Sequence, residues 1–306
     1  MFDRRSIMAG AIAAFAAGCG QVHPVMSKTE DGSAGARGLE RIERAAGGRL
    51  GAFVLDPTSG ASFGWREDER FAHCSSFKLS LAAMLLARAD RGEVDLDEVL
   101  QWSQADVLSV SPVTAPHLAD GLPVRALARG TLVTSDNTAA NVLLRRFGGP
   151  AALTRFWRET GDPVSRLDRY EPELNSTPPG TQLDTTTPAA MARTLANLVT
   201  GPVLAPGSRA TLREWMTAVA TGRDRIRAGF PADWISGDKT GTGITETRHT
   251  YVDLAFGGAP GTPPIIVAAY FEPARLVEPM DPASTGVLAA VGRLAAATLR
   301  GLGQGR

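Results

Sequence analysis

Residues 74–79 read Cys74-Ser75-Ser76-Phe77-Lys78-Leu79 and lead into an apolar run that lasts to Leu86. The pattern predicts a buried helix whose first turn carries a nucleophile. Ser75 and Lys78 stand three apart, so on a helix both side chains project from one face. A serine hydroxyl attacks only when a neighbouring base takes its proton. A lysine amine serves as that base when burial or positive neighbours lower its pKa. Ser-x-x-Lys alone is a common tetrapeptide, so other parts of the chain have to support it.

Composition supports it first. Lys and Arg together number 32, yet only Lys28, Lys78 and Lys239 are lysines. Arginine stays protonated under ordinary conditions, whereas lysine titrates when its surroundings demand it. Lys78 and Lys239 therefore mark places where arginine does not serve.

With 306 residues, 43% of them hydrophobic, the chain has material for substantial cores in one or two domains. A formal net charge of zero and only 6% aromatic residues argue against a nucleic-acid surface or a base-stacking platform. His23, His73, His117 and His249 lack metal-ligand spacing, so no metal site is expected. Nothing in the pattern calls for a cofactor.

The start reads as a leader. Arg4-Arg5-Ser6-Ile7-Met8 and the Ala-rich run to Ala17 have the layout of a twin-arginine export signal, and the run is too short for a permanent span. Gly18-Cys19 fits a lipoprotein cleavage site, although Ala16 stands where leucine is usual; ordinary cleavage near residues 14–17 is the alternative. The expected product is exported, either periplasmic or lipid-anchored to the envelope through Cys19, and monomeric. Residues 1–19 are thus assigned to the signal and 20–38 to a polar linker. Without Cys19, Cys74 has no partner and is expected to pack as a small hydrophobe.

Strands are expected over 49–56, 61–65, 233–239, 250–256 and 265–271. Helices are expected over 39–46, 124–134, 138–147, 150–160, 187–199, 208–220 and 284–299. Strands thus occupy both chain ends and helices the middle. Neither group of strands makes a stable sheet alone, so the two must pair into one antiparallel sheet. The fold class is α+β in two lobes: residues 39–66 and 208–303 form a sheet flanked by helices, and 67–207 form an all-helical lobe. A ligand cleft lies between them.

Three further stretches bear on that cleft. In Thr134-Ser135-Asp136-Asn137-Thr138, Ser135 is placed to relay a proton and Asn137 to hold a substrate amide; the plainer reading is a helix N-cap. Asp238-Lys239-Thr240-Gly241-Thr242-Gly243 closes a strand-like run. There the N–H of Thr242 pairs with that of Ser75 as an oxyanion hole, Gly241 admits close approach, and Lys239 and Thr240 meet a carboxylate. Arg169-Tyr170-Glu171-Pro172-Glu173-Leu174-Asn175 opens a long loop ending near Asp184. Arg169 and Asp184 are matched to close its neck, and Glu171 and Asn175 to hold a water with Glu171 as general base.

Ser-x-x-Lys, Ser-Asp-Asn, Glu-Pro-Glu-Leu-Asn and Lys-Thr-Gly, in that order, resemble the motif set of class A serine β-lactamases. The resemblance runs from about residue 39 to 299 and includes Ser111-Pro112-Val113-Thr114 and Asp184-Thr185-Thr186-Thr187-Pro188. It implies the β-lactamase/transpeptidase-like fold and hydrolysis of penicillins and cephalosporins through a Ser75 acyl-enzyme, giving antibiotic resistance. Lys78, or Glu171 through a water, takes the Ser75 proton; Ser135 passes a proton to the leaving nitrogen; Glu171 and Asn175 direct the deacylating water. Lys239, Thr240, Gly241 and Thr242 line the substrate-carboxylate side. Val110 stands where the family commonly has an aromatic wall. Gly243 is not cysteine, so the disulfide of some carbapenem-hydrolysing members is ruled out, which lowers expected carbapenem turnover. Arg225 and Arg248 both fall near places where members put a carboxylate-binding arginine, with Arg225 slightly ahead. The alternatives are a penicillin-binding D-Ala-D-Ala carboxypeptidase, a non-hydrolysing β-lactam sensor or an esterase of the same fold.

Overall fold

The computed structural model describes residues 30–178 and 180–303. The expected export signal and Cys19 lie outside them. The chain begins with α1 (Glu30–Ala46), then β1 (Gly48–Leu55), β2 (Ser62–Trp65) and β3 (Phe71–Ala72). A single 3-10 turn, Cys74–Ser76, opens directly into α2 (Phe77–Asp90). The middle holds β4 (Val99–Leu100), β5 (Leu122–Pro123), α3 (Val124–Val133), α4 (Asn137–Arg146), α5 (Gly149–Glu159), β6 (Thr185–Thr186), α6 (Pro188–Val199) and α7 (Pro206–Thr217). The chain then returns to strands β7 (Ile235–Ile244), β8 (His249–Gly258) and β9 (Ile265–Pro273), and closes with α8 (Pro282–Gly303).

The principal sheet has the order β2-β1-β9-β8-β7, antiparallel throughout. Strands from the two chain ends meet at the β1–β9 pairing, as the distribution of strands predicts. Side chains alternate across it. Leu50, Ala52, Val54, Tyr251, Ala255, Val267 and Ala269 face α1 and α8, with Val287, Leu288 and Val291 of α8 among them. Phe53, Leu55, Val252, Leu254, Phe256, Ala268 and Tyr270 face the other way and join one apolar cluster that reaches Leu153 and Trp157 of α5. Residues Phe77–Ala87 of α2 are all buried, so this helix is apolar on every side and is wrapped by the rest. Within the segment 67–207, α6 lies directly on β1 and β9.

Two expectations need correction. The stretch 20–38, expected as a linker, is helical from Glu30 onward. Two of its glycines allow close contact: a Cβ on Gly35 would meet the Phe63 ring at 2.4 Å, and one on Gly38 would meet Leu294 at 2.7 Å. The second concerns β7, which does not stop at Lys239. It runs on to Ile244 because β8 supplies a pairing partner for each residue from Gly258 back to His249, and Thr245 N–H to Arg248 O (3.0 Å) closes the hairpin.

Candidate active site

The site forms where the Cys74–Ser76 turn, the start of α4, the Glu173–Asn175 turn and the edge strand β7 converge. Lys78 stands at the centre, fully buried. Its Nζ donates to Ser75 Oγ (3.0 Å), to the Ser135 carbonyl (2.9 Å) and to Asn137 Oδ1, and it pairs with Glu171 Oε1 at 3.0 Å. Ser135 Oγ lies 3.5 Å away. Burial pushes the amine below the usual lysine range, and the Glu171 charge opposes that shift.

Ser75 Oγ donates to Glu171 Oε1 at 3.1 Å, so the hydroxyl touches a carboxylate and an amine together. Asn175 Nδ2 donates to Glu171 Oε2 (2.7 Å), which fixes the carboxylate plane. The loop is pinned at its neck by Arg169 Nε on Asp184 Oδ2 (2.6 Å), the pair expected from the sequence. It is pinned close to that neck, at Glu171, by a residue the sequence reading missed: Asn141 on α4 accepts from the Glu171 N–H (3.0 Å) and donates to the Glu171 carbonyl (2.8 Å). An asparagine at the fifth position of a helix gives no signal of that role.

In Ser-Asp-Asn the helix cap and the contacts to Lys78 come from different residues. Asp136 caps α4 by accepting from Ala139 N–H (2.8 Å) and also takes the N–H groups of Val113 and Thr114. Ser135, at φ +61°, and Asn137 on either side are turned to Lys78. Asn137 Nδ2 donates to Ser109 O (2.9 Å), and its N–H donates to Val110 O (2.9 Å). Val110 itself is 60% exposed at the rim.

Strand alternation sorts the residues of β7. Lys239, Gly241 and Gly243 face the nucleophile turn. Lys239 Nζ donates to Ser135 Oγ (3.1 Å) and to Thr240 O (2.7 Å). A Cβ on Gly241 would lie 2.9 Å from His73 O and 3.0 Å from Ser76 N, so only glycine lets the strand approach so closely. A Cβ on Gly243 would meet Cys74 Sγ at 2.8 Å; with glycine there, Cys74 is free and buried, and burial pushes its thiol up. Thr240 and Thr242 take the opposite face, where Thr240 Oγ1 meets Thr221 Oγ1 at 2.7 Å and Thr242 Oγ1 accepts from Arg225 (2.7 Å).

The carbonyls of Gly241 and Val252 both accept from one Arg225 nitrogen, at 2.9 and 2.7 Å. Two facing carbonyls that close belong to a mutually hydrogen-bonded pair, so the next residue, Thr242, turns its N–H away from β8 toward the open edge. Thr240 O, two residues back, points the same way and meets Lys239.

Arg225 and Arg248 separate clearly. Arg225 is 1% exposed and lies beneath Thr242. Arg248 sits at the β7–β8 turn, and its side chain reaches Glu272 at 3.5 Å, away from Ser75. Lys239 is fully buried, and its amine is drawn down to about 7, first by burial and then by the positive charge of Lys78. Among the described residues no three His, Cys, Asp or Glu side chains converge as a metal site.

The comparisons with known proteins agree with this geometry. Residues 36–299 match the family model described as β-lactamase enzyme family. The chain is 42% identical to β-lactamase FAR-1 of Nocardia farcinica (strain IFM 10152), over 85% of this chain and 81% of that protein. It is 45% identical to β-lactamase L2 of Stenotrophomonas maltophilia, over 83% and 82%. A solved structure titled as the last common ancestor of Gram-negative bacteria (GNCA4) class A β-lactamase superposes with a TM-score of 0.82 at 49% identity, covering 87% of this chain and 99% of that one. With a serine, two candidate bases and a facing edge strand already in contact, these likenesses settle the kinship: the chain belongs to the β-lactamase family, among the class A serine enzymes.

Proposed function

We infer that this protein hydrolyses the amide bond of β-lactams, penicillins and cephalosporins among them, by a two-step serine mechanism that gives antibiotic resistance. The observation that carries the reading is the contact of Ser75 Oγ with both Lys78 Nζ (3.0 Å) and Glu171 Oε1 (3.1 Å). Attack by Ser75 on the lactam carbonyl forms the ester bond and leaves an oxyanion, which the N–H groups of Ser75 and Thr242 stabilise. The serine proton passes to Lys78 or Glu171. Collapse of the tetrahedral species breaks the C–N bond, and Ser135, joined to both lysines, delivers a proton to the departing nitrogen.

Glu171, oriented by Asn175, then takes a proton from water as the water attacks the ester, releasing the ring-opened acid and restoring Ser75. Lys239, Thr240 and Thr242, backed by Arg225, hold the substrate carboxylate; Asn137 holds the side-chain amide. Arg248 is left out of this set because it sits at the β7–β8 turn with its side chain toward Glu272 and the sheet, whereas Arg225 touches Thr242. A carboxypeptidase or a sensor has no use for a second base at the nucleophile, so Glu171 favours the hydrolase. Export, with or without a lipid on Cys19, and a monomeric state complete the proposal. Among the described residues no helix is long and apolar enough to cross a membrane.

Turnover of nitrocefin and benzylpenicillin by the mature protein, with Glu171→Ala alongside, tests the reading. Many turnovers by the wild type, and a mass increment of one opened lactam on Ser75 that persists in the variant, are expected. A wild type that stops after one equivalent would sink the hydrolase reading.

A further inference from the structure

Arginine side chains gather at a second hollow, away from Ser75, Lys78, Ser135, Glu171 and Lys239. It has a volume of about 390 Å³ and lies between the β1–β9 side of the sheet and the far part of the loop that carries Glu171. Arg49, Arg70 and Arg248 line one side and Thr177, Thr181 and Gln182 the other, while Glu272 is the only carboxylate on the wall among the described residues. An adjoining hollow of about 450 Å³ shares Arg49, Arg248 and Glu272 and adds Arg275.

The ion pairs leave this charge unevenly met. Arg49 is well served, by Glu272 at 2.9 Å and Glu69 at 3.1 Å. Arg248 has only a 3.5 Å contact with the same Glu272. Arg70 has no carboxylate partner among the described residues; both of its terminal nitrogens donate to the neutral Val164 O (3.3 Å each), and one also donates to Thr185 Oγ1 (2.9 Å). Burial and the charges of Arg166 and Arg158 hold its pKa down, against a weaker pull from Asp162. Arg166 is itself neutralised by Asp168. A half-buried guanidinium among cations, with hydroxyl and amide side chains across a hollow, is a site waiting for a compact anion. Planar guanidinium forks suit phosphate oxygens best.

We propose that this hollow binds a phosphate-type dianion, held chiefly by Arg70 and Arg248 with Thr181 and Gln182 opposite. Such an ion ties the back of the loop to the sheet. The site is independent of the lactam cleft and is open to test whether or not the lactam is turned over.

An amide NMR titration of the mature protein with inorganic phosphate, against chloride at equal ionic strength, reads the binding. Saturable shifts at Arg70, Thr181 and Gln182 are expected. Gln182→Glu, at an exposed position, adds one negative charge and should weaken binding about tenfold; unchanged nitrocefin turnover confirms that the variant folds. Arg70→Gln should remove saturation. Shifts that do not saturate overturn the proposal, as do equal affinities for wild type and Gln182→Glu. Shifts centred on Lys239, Thr240 and Thr242 overturn it too, because the anion then occupies the lactam cleft.

Discussion

Two buried residues near Ser75 carry pH-dependent consequences of opposite kinds. Lys239 titrates near 7 in the free protein, so its positive charge is present below that pH and lost above it. The expected result is a kcat/KM for benzylpenicillin that falls on the alkaline side with an apparent pKa near 7. Lys239→Arg, which stays charged, should flatten that limb. His73 lies directly beneath the nucleophile turn, stacked on Trp157 with ring centroids 4.8 Å apart and neither ring nitrogen bonded. Burial lowers its pKa to about 3, below the unfolded value near 6.5. Between those values the unfolded chain binds a proton that the folded one refuses. Stability from this residue is therefore intact above about pH 6.5 and is lost as the pH falls, at up to about 1.4 kcal/mol per unit. Urea unfolding of wild type and His73→Leu at pH 7 and pH 5 checks this, since the variant should lose less on acidification.

At the scale of elements, the decisive contact is β7 against the Cys74–Ser76 turn. Lys239-Thr240-Gly241 looks from the sequence like a strand running out into glycines. The strand continues, and its glycine is required by the neighbouring backbone, since a methyl at Gly241 would press on His73 O and Ser76 N. Neither backbone atom can yield without moving the turn. Gly241→Ala should therefore shift the Thr242 N–H from its proposed oxyanion position and lower kcat by about 10²-fold, the usual cost of one oxyanion donor. Thermal stability should fall far less than activity, and a comparison of the two by kinetics and calorimetry checks it. The loop opened by Arg169 behaves in the same way. Its neck pair is legible from the two charged residues, whereas Asn141, which holds Glu171 by two backbone bonds, is found only once α4 is placed beside the loop.

The molecule as a whole has a helical region and a sheet region with one apolar cluster running through both. Trp157 of α5, fully buried, is joined through that cluster to Phe53, Val252 and Tyr270 of the sheet. Its Nε1 also donates to Ser80 of α2 at 2.9 Å. Trp157→Ala should cost about 3–5 kcal/mol. The lobes should also unfold together, so far-UV circular dichroism and loss of nitrocefin turnover in urea should give one midpoint for wild type and one lower midpoint for the variant; separate midpoints would contradict a shared core. What the sequence determined by itself was everything carried by residue type and short spacing. The contact of Ser75 with Lys78, across the turn that opens α2, follows from their spacing, as the strands at both chain ends and the helices between them follow from local periodicity. The order of four motifs identifies the chemistry. Only the tertiary structure separates Arg225 from Arg248, because the two differ in what surrounds them: buried carbonyls and Thr242 for one, Glu272 for the other. It also decided that Gly35 and Gly38 lie in a packed helix, and that β7 extends past Lys239. Each of these depends on atoms distant in the chain, a partner strand or a facing ring, and no local pattern encodes them.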